Sequence, residues 1–192
     1  MARPRKFEEE RAVEAAMRAF WESGYEATST QELCAATGLG RSSIYNTFTS
    51  KHDLFTRALA RYMEIKTANV VGALEDVERP VRERLRTVLG WAVRNEGDDD
   101  PAGCLVVNTT IELAPRDPDV AGRLAKDQEK RLAALRAAIE AGQRSGEIDA
   151  GRDAEALAHF VIAAISGLRV AARGGADERT LEAIAETALA AI

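Results

Sequence analysis

Apolar positions in this chain recur at helical spacing almost from end to end. Val13, Ala16, Met17, Phe20 and Trp21 fall at i, i+3, i+4, i+7 and i+8, which predicts a first helix from Phe7 to Ser23. Gly24 ends it. Thr28 and Ser29 are good N-cap types for a short second helix, Thr30 to Thr37. Gly38 breaks that helix, and a third runs from Arg41 to Thr47. Ser50 or Thr49 caps a fourth, Lys51 to about Gly72, with Leu54, Phe55, Ala58, Leu59, Tyr62 and Met63 as its stripe. Beyond the boundary DVERP, Val81, Leu85, Val88, Leu89 and Ala92 mark a fifth helix. After the polar segment NEGDDDPAG, a sixth covers Cys104 to Ala114. Asp117 as cap and Pro118 as first helical residue open a seventh, to about Gly142. Ala154 to Arg173 and Asp177 to Ile192 complete an all-α chain of about nine helices.

The eighth helix carries Leu157, Phe160, Val161, Ala164, Ile165, Leu168 and Ala172, more than one face of apolar surface. A helix of that kind is buried on two sides. It is either the centre of the larger domain or the seat of a second copy of the chain.

Composition agrees with a helical globular protein: 192 residues, 46% hydrophobic, 30% charged and only five prolines. No uninterrupted apolar run approaches the ~20 residues that cross a bilayer. The charged EEE follows MARPRK where a signal peptide needs an apolar segment, so a cytoplasmic protein without a membrane partner is expected. Two cysteines, Cys34 and Cys104, make no disulfide framework and no metal spacing, and neither a metal nor a cofactor is expected. The net charge of −5 is unevenly spread. Residues 1–66 hold ten Lys/Arg against nine Asp/Glu, and the acidic excess lies entirely in the remainder.

A short helix, a glycine turn and a second short helix form a helix-turn-helix pattern. Gly38 allows a left-handed turn. Leu33, Leu39, Ile44 and Phe48 are apolar contacts that fix the crossing of the two helices, and Cys34 is a small residue between them. Arg41, Ser42, Ser43, Tyr45, Asn46 and Thr47 are left facing outward, with donors suited to base edges and phosphates. Lys51 adds charge at the start of the next helix. An αα-corner with a polar solvent face reads the same pattern without DNA.

The run GYEATSTQELCAATGLGRSSIYNTFTSKHDLF, residues 24–55, resembles the TetR family of bacterial transcriptional repressors. Gly24, Tyr25 and Thr28 resemble its turn before helix two, and Gly38 its inter-helix glycine. Ile44, Tyr45 and Phe48 resemble the core of its recognition helix; Ser50, Lys51, Asp53 and Leu54 resemble the start of its helix four. Gly40, Asn46 and Thr47 depart from the common pattern beside the DNA face. The resemblance implies a DNA-binding domain over 1–52 joined to a ligand-binding and dimerisation domain over 53–192. It also implies a homodimer, a double-stranded operator and a small-molecule effector.

On that basis Thr28, Ser29, Arg41, Ser42, Ser43, Tyr45, Asn46, Thr47 and Lys51 are the expected DNA contacts. Trp91, Cys104, Asn108, Glu112, Phe160 and Arg169 are expected near an effector cavity, although each equally suits ordinary packing. Val161, Ile165, Leu168, Ala172, Leu181, Ile184 and Ala188 are expected at the dimer interface. Arg3, Arg5 and Lys6 form a basic arm suited to a minor groove, or equally a solvated terminus. His52 and His159 lack ligand spacing.

Two rival readings use the same residues. In one, Cys104 is a thiol sensor at a helix start, opposed by the charges of Asp98, Asp99 and Asp100. In the other, Cys104 is the nucleophile of a helical enzyme with His159 or Glu112 as base. No recognisable nucleophile motif supports the second, and no catalytic residue is expected.

Overall fold

The computed structural model describes residues 3–94 and 103–192, with side chains from Glu9 onward. Among these residues the helices are α1 (Arg3–Ser23), α2 (Thr30–Thr37), α3 (Arg41–Thr47), α4 (Lys51–Glu75), α5 (Val81–Val93), α6 (Leu105–Glu112), α7 (Pro118–Ser145), α8 (Ala154–Arg173) and α9 (Glu178–Ala190), without strands. The side chains of the basic arm and the Asp98–Asp100 segment lie outside the described residues.

Caps explain why α2 begins and ends where the sequence predicts. Ser29 is the N-cap of α2 and forms a capping box with Glu32: the Glu32 N–H donates to Ser29 Oγ at 3.2 Å, and the Ser29 N–H to Glu32 Oε2 at 2.6 Å. Gly38 ends α2 at φ 69°, ψ 9°, with its N–H on the Cys34 carbonyl. Nothing lies within 4 Å of a Cβ built there, so backbone conformation alone calls for glycine. Ser50, rather than Thr49, caps α4 through the Asp53 N–H at 3.0 Å.

The chain forms two compact units, Met1–Ile65 with Cys104–Leu124, and Lys66–Gly103 with Ala125–Ile192. The first division between the units falls after Ile65, within α4, whereas the expected domain boundary lies at residue 52. Phe55, Leu59, Tyr62 and Met63 of α4 pack with Phe20, Trp21, Leu105 and Val106, so the first core takes in more of α4 and also α6.

The second unit is built around Leu85, Leu89, Leu135, Ile139, Val161 and Leu168, each at most 1% exposed. The buried Arg84 guanidinium donates to the main-chain carbonyl of Arg79 at 2.7 Å and to that of Leu74 at 3.1 Å, closing the α4–α5 turn. A second buried polar group joins α4 to α7. There Thr67 Oγ1 donates to Asp127 Oδ1 at 2.6 Å, and Arg131 lies 2.9 Å from Asp127 Oδ2.

Leu157, Ala158, Val161 and Leu168 form the buried face of α8. Its most apolar 18-residue window has a mean hydropathy of 1.5, long and apolar enough in composition to cross a bilayer. His159 and Arg169 interrupt the run, which is why no unbroken apolar segment stands out in the sequence.

Candidate nucleic-acid interface

The seven residues of α3 divide cleanly. Ile44 is 1% exposed and Phe48, just past the helix, 0%, and both join the core of the first unit. Arg41, Ser42, Ser43, Tyr45 and Asn46 are exposed, and Thr47 is half-buried. The Arg41 guanidinium lies 5.9 Å from the centre of the Tyr45 ring. Tyr45 Oη and Thr30 Oγ1 share a hydrogen bond of 3.2 Å, which ties the outer face of α3 to the first residue of α2. No acidic residue lies in α3. The result is a short helix with a cation, a phenol, an amide and hydroxyls on one face, held by an apolar opposite face.

Thr28 is a correction. It is 1% exposed, and its Oγ1 donates to the Gly24 carbonyl at 2.6 Å, so it fixes the α1–α2 turn instead of reaching DNA. Ser29 remains exposed, but its Oγ caps α2. Lys51 is half-buried, with Nζ 4.6 Å from the centre of the Tyr25 ring and donating to the Glu26 carbonyl at 3.3 Å. An ammonium carries three donors, which leaves capacity for a phosphate.

The turn before α2 is held from several sides. Tyr25 packs on Phe20 and Phe55, with ring centres 6.1 and 4.8 Å away, and on His52 at 6.2 Å. Burial, followed by the charges of Glu26, Asp117 and Glu112, pushes its phenol pKa up and keeps it neutral. His52 Nε2 lies 2.7 Å from Oδ2 of Asp117, the residue before α7. The Val120 N–H, and then His52, hold the Asp117 carboxyl below its usual value.

Glu112 is a second correction. Its carboxylate accepts the Tyr25 N–H at 3.0 Å and the Glu26 N–H at 2.8 Å, so it is committed to the first unit's turn and not to an effector cavity. Cys104 is the N-cap of α6, just outside the helix, and the Tyr62 hydroxyl donates to its Sγ at 3.5 Å. Asn108 Nδ2 is buried without a hydrogen-bond acceptor among the described residues.

In the second unit, Trp91 lines a groove of about 670 Å³ with Leu89, Gly90 and Leu189, and Arg169 is half-buried on α8. Phe160 is 41% exposed and lines a separate groove of about 730 Å³ beside α9. Three of the expected dimer contacts also change role. Val161, Leu168 and Leu181 are 0–4% exposed and belong to the unit's own core, whereas Ala188, at 6%, also lines the groove with Phe160. Ile165 and Ala172 are half-buried, and Ile184 is 41% exposed.

The α2–turn–α3 geometry defines a helix-turn-helix DNA-binding protein. Residues 12–58 match the family described as "Bacterial regulatory proteins, tetR family", and residues 81–188 match "Tetracyclin repressor-like, C-terminal domain". The chain is 34% identical over 189 residues to the HTH-type transcriptional repressor ComR of Escherichia coli (strain K12), covering 97% of this chain and 90% of the relative. It is 33% identical to the uncharacterized HTH-type transcriptional regulator YezE of Bacillus subtilis (strain 168), covering 95% and 94%. Among solved structures, the cysteine-substituted TetR family regulator CifR in complex with 26-bp operator DNA is 31% identical, with a TM-score of 0.83 and 95% of each chain covered. The chain belongs to the TetR family of bacterial transcriptional regulators. Membership makes it a helix-turn-helix transcriptional regulator, and the thiol-enzyme reading falls away.

Proposed function

We propose that the chain acts in the cytoplasm as a homodimer on a palindromic operator, and that a small molecule releases it. The observation that carries this reading is the division of α3 into a buried apolar face and an exposed face with Arg41, Ser42, Ser43, Tyr45 and Asn46. The dimer is supported by a second surface. Phe160 and Ile184, both 41% exposed, line one groove with small residues such as Ala164 and Ala183. Contiguous apolar surface of this kind marks a contact with a partner. Two copies joined through α8 and α9 would present two α3 helices to two half-sites.

For the effector, Trp91 and Arg169 are candidate contacts within the second unit, and Asn108, separately, within the first. The Asn108 amide supports its own candidacy, because an incoming acceptor would satisfy its buried Nδ2. The test of the whole reading is operator retention over a salt series together with sedimentation. A dimer whose affinity falls steeply with salt is expected; a monomer, or salt-independent retention, would refute the proposal.

A second reading rests on Cys104, which is half-buried, sits at the start of α6 and touches the Tyr62 hydroxyl. In that reading the sulfur adds to an electrophile and the adduct releases DNA. Loss of operator binding after treatment with a thiol-selective electrophile, in wild type but not in Cys104→Ser, is the expected result. Equal loss in both, or in neither, removes it.

A further inference from the structure

We propose that Glu112 is a positioning residue for operator binding, a latch by which the end of α6 holds the helix-turn-helix in its DNA-reading arrangement. The proposal rests on the DNA-binding function and goes beyond it. Glu112 is the last residue of α6, and its two carboxylate oxygens each take a backbone N–H from consecutive residues, Tyr25 at 3.0 Å and Glu26 at 2.8 Å. Charge-assisted bonds of this type are stronger than neutral ones. The turn is shaped to receive the carboxylate. Gly24 has φ +84°, and a Cβ there would stand 3.0 Å from Glu112 Oε2, so the left-handed backbone and the close approach both call for glycine.

From that turn a continuous set of contacts leads to the DNA face. Thr28 bonds back to the Gly24 carbonyl at 2.6 Å, Ser29 caps α2, and Thr30 bonds Tyr45 on the exposed side of α3 at 3.2 Å. From the other side, Lys51 holds the Glu26 carbonyl. A displacement of α6 that withdraws the carboxylate would leave two N–H groups without their acceptor and loosen the anchor of α2 and Tyr45.

Electrostatics makes the test decisive in sign. Removing a carboxylate near a DNA-binding surface should, by charge alone, strengthen binding to a polyanion. A weakened complex therefore reports positioning. The experiment uses the full chain and a fragment recovered with the wild-type protein from a random double-stranded DNA library. Glu112→Gln keeps the shape, but its amide group cannot accept from the second N–H. It is expected to bind the fragment about tenfold more weakly, with the salt slope, sequence preference and far-ultraviolet circular dichroism of wild type. Amide exchange at Tyr25 and Glu26 should accelerate. Binding equal to or tighter than wild type, with exchange accelerated, would overturn the proposal. Should the variant fail to fold, the wild type supplies the answer: operator binding must slow exchange at Tyr25 and Glu26 by a similar factor, because the coupling is reciprocal. Unchanged exchange would overturn it. Arg41→Ala serves as the contrasting variant, losing affinity together with salt slope. If the wild type recovers no sequence at all, it is the DNA-binding reading that fails, not the latch.

Discussion

The outer faces of α3 and of α8 are both exposed, and their chemistry is opposite. The α3 face offers Arg41, Ser42, Ser43, Tyr45 and Asn46, while α8 offers Ala156, Phe160, Ala163, Gly167 and Val170 at helical spacing. Donors and a cation suit a phosphate backbone and base edges. Small apolar residues suit close contact with another helix. Under the proposed function the two faces meet different partners, and the contrast also separates residues that share a periodicity. Leu168 and Ile184 both belong to apolar stripes, yet one is 0% and the other 41% exposed.

The largest expected effect comes from the α8–α9 face. Phe160→Glu combined with Ile184→Glu should give a folded monomer, seen by sedimentation, because both side chains are exposed in the single chain. Losing the second half-site should weaken operator binding by ~10²–10⁴-fold. Leu168→Ala tests the core side of the same helix. It should cost ~2–5 kcal/mol in urea unfolding, by leaving a cavity in a fully buried site.

Arg41→Ala on the other face should leave stability unchanged. It should weaken operator binding by ~1–3 kcal/mol and reduce the salt slope, which titration at several salt concentrations would measure. Thr28→Val should do the reverse: about 1 kcal/mol of stability lost with its hydrogen bond to Gly24, and little direct change in DNA contact.

The smallest effect concerns acid. Asp117 has a folded pKa below its ordinary 3.8, so its stabilising contribution is present above that value and is lost as pH falls through the folded one. Thermal melts of wild type and Asp117→Asn should therefore differ at pH 7 and converge as the pH falls below about 4. A constant difference across that range would contradict the assignment.

Much of this molecule is legible in the sequence where local chemistry decides. The bounds of α2 and α8 follow from Ser29, Gly38, Asp153 and Gly174, residues that act on their own neighbours. The recognition face follows from the periodicity of Ile44 and Phe48. Sequence reasoning fails where the deciding partner is remote. Glu112 meets Tyr25 across 87 positions, and no spacing rule reports that contact. Periodicity assigns Leu168 and Val161 to an interface because it shows that a residue is covered, not by what. Thr28 resembles a DNA contact from its position beside a cap, yet its hydroxyl turns inward to the Gly24 carbonyl.

The central claim is that two copies of this chain read an inverted repeat through α3. Selection from a random double-stranded DNA library, with wild type and with an Arg41→Ala, Tyr45→Ala variant in parallel, tests it most directly. The account predicts that wild type enriches an inverted repeat bound by two chains and that the variant loses this enrichment while remaining folded and dimeric. Enrichment of the same sequence by the variant, or of a single asymmetric site by one chain, would contradict it.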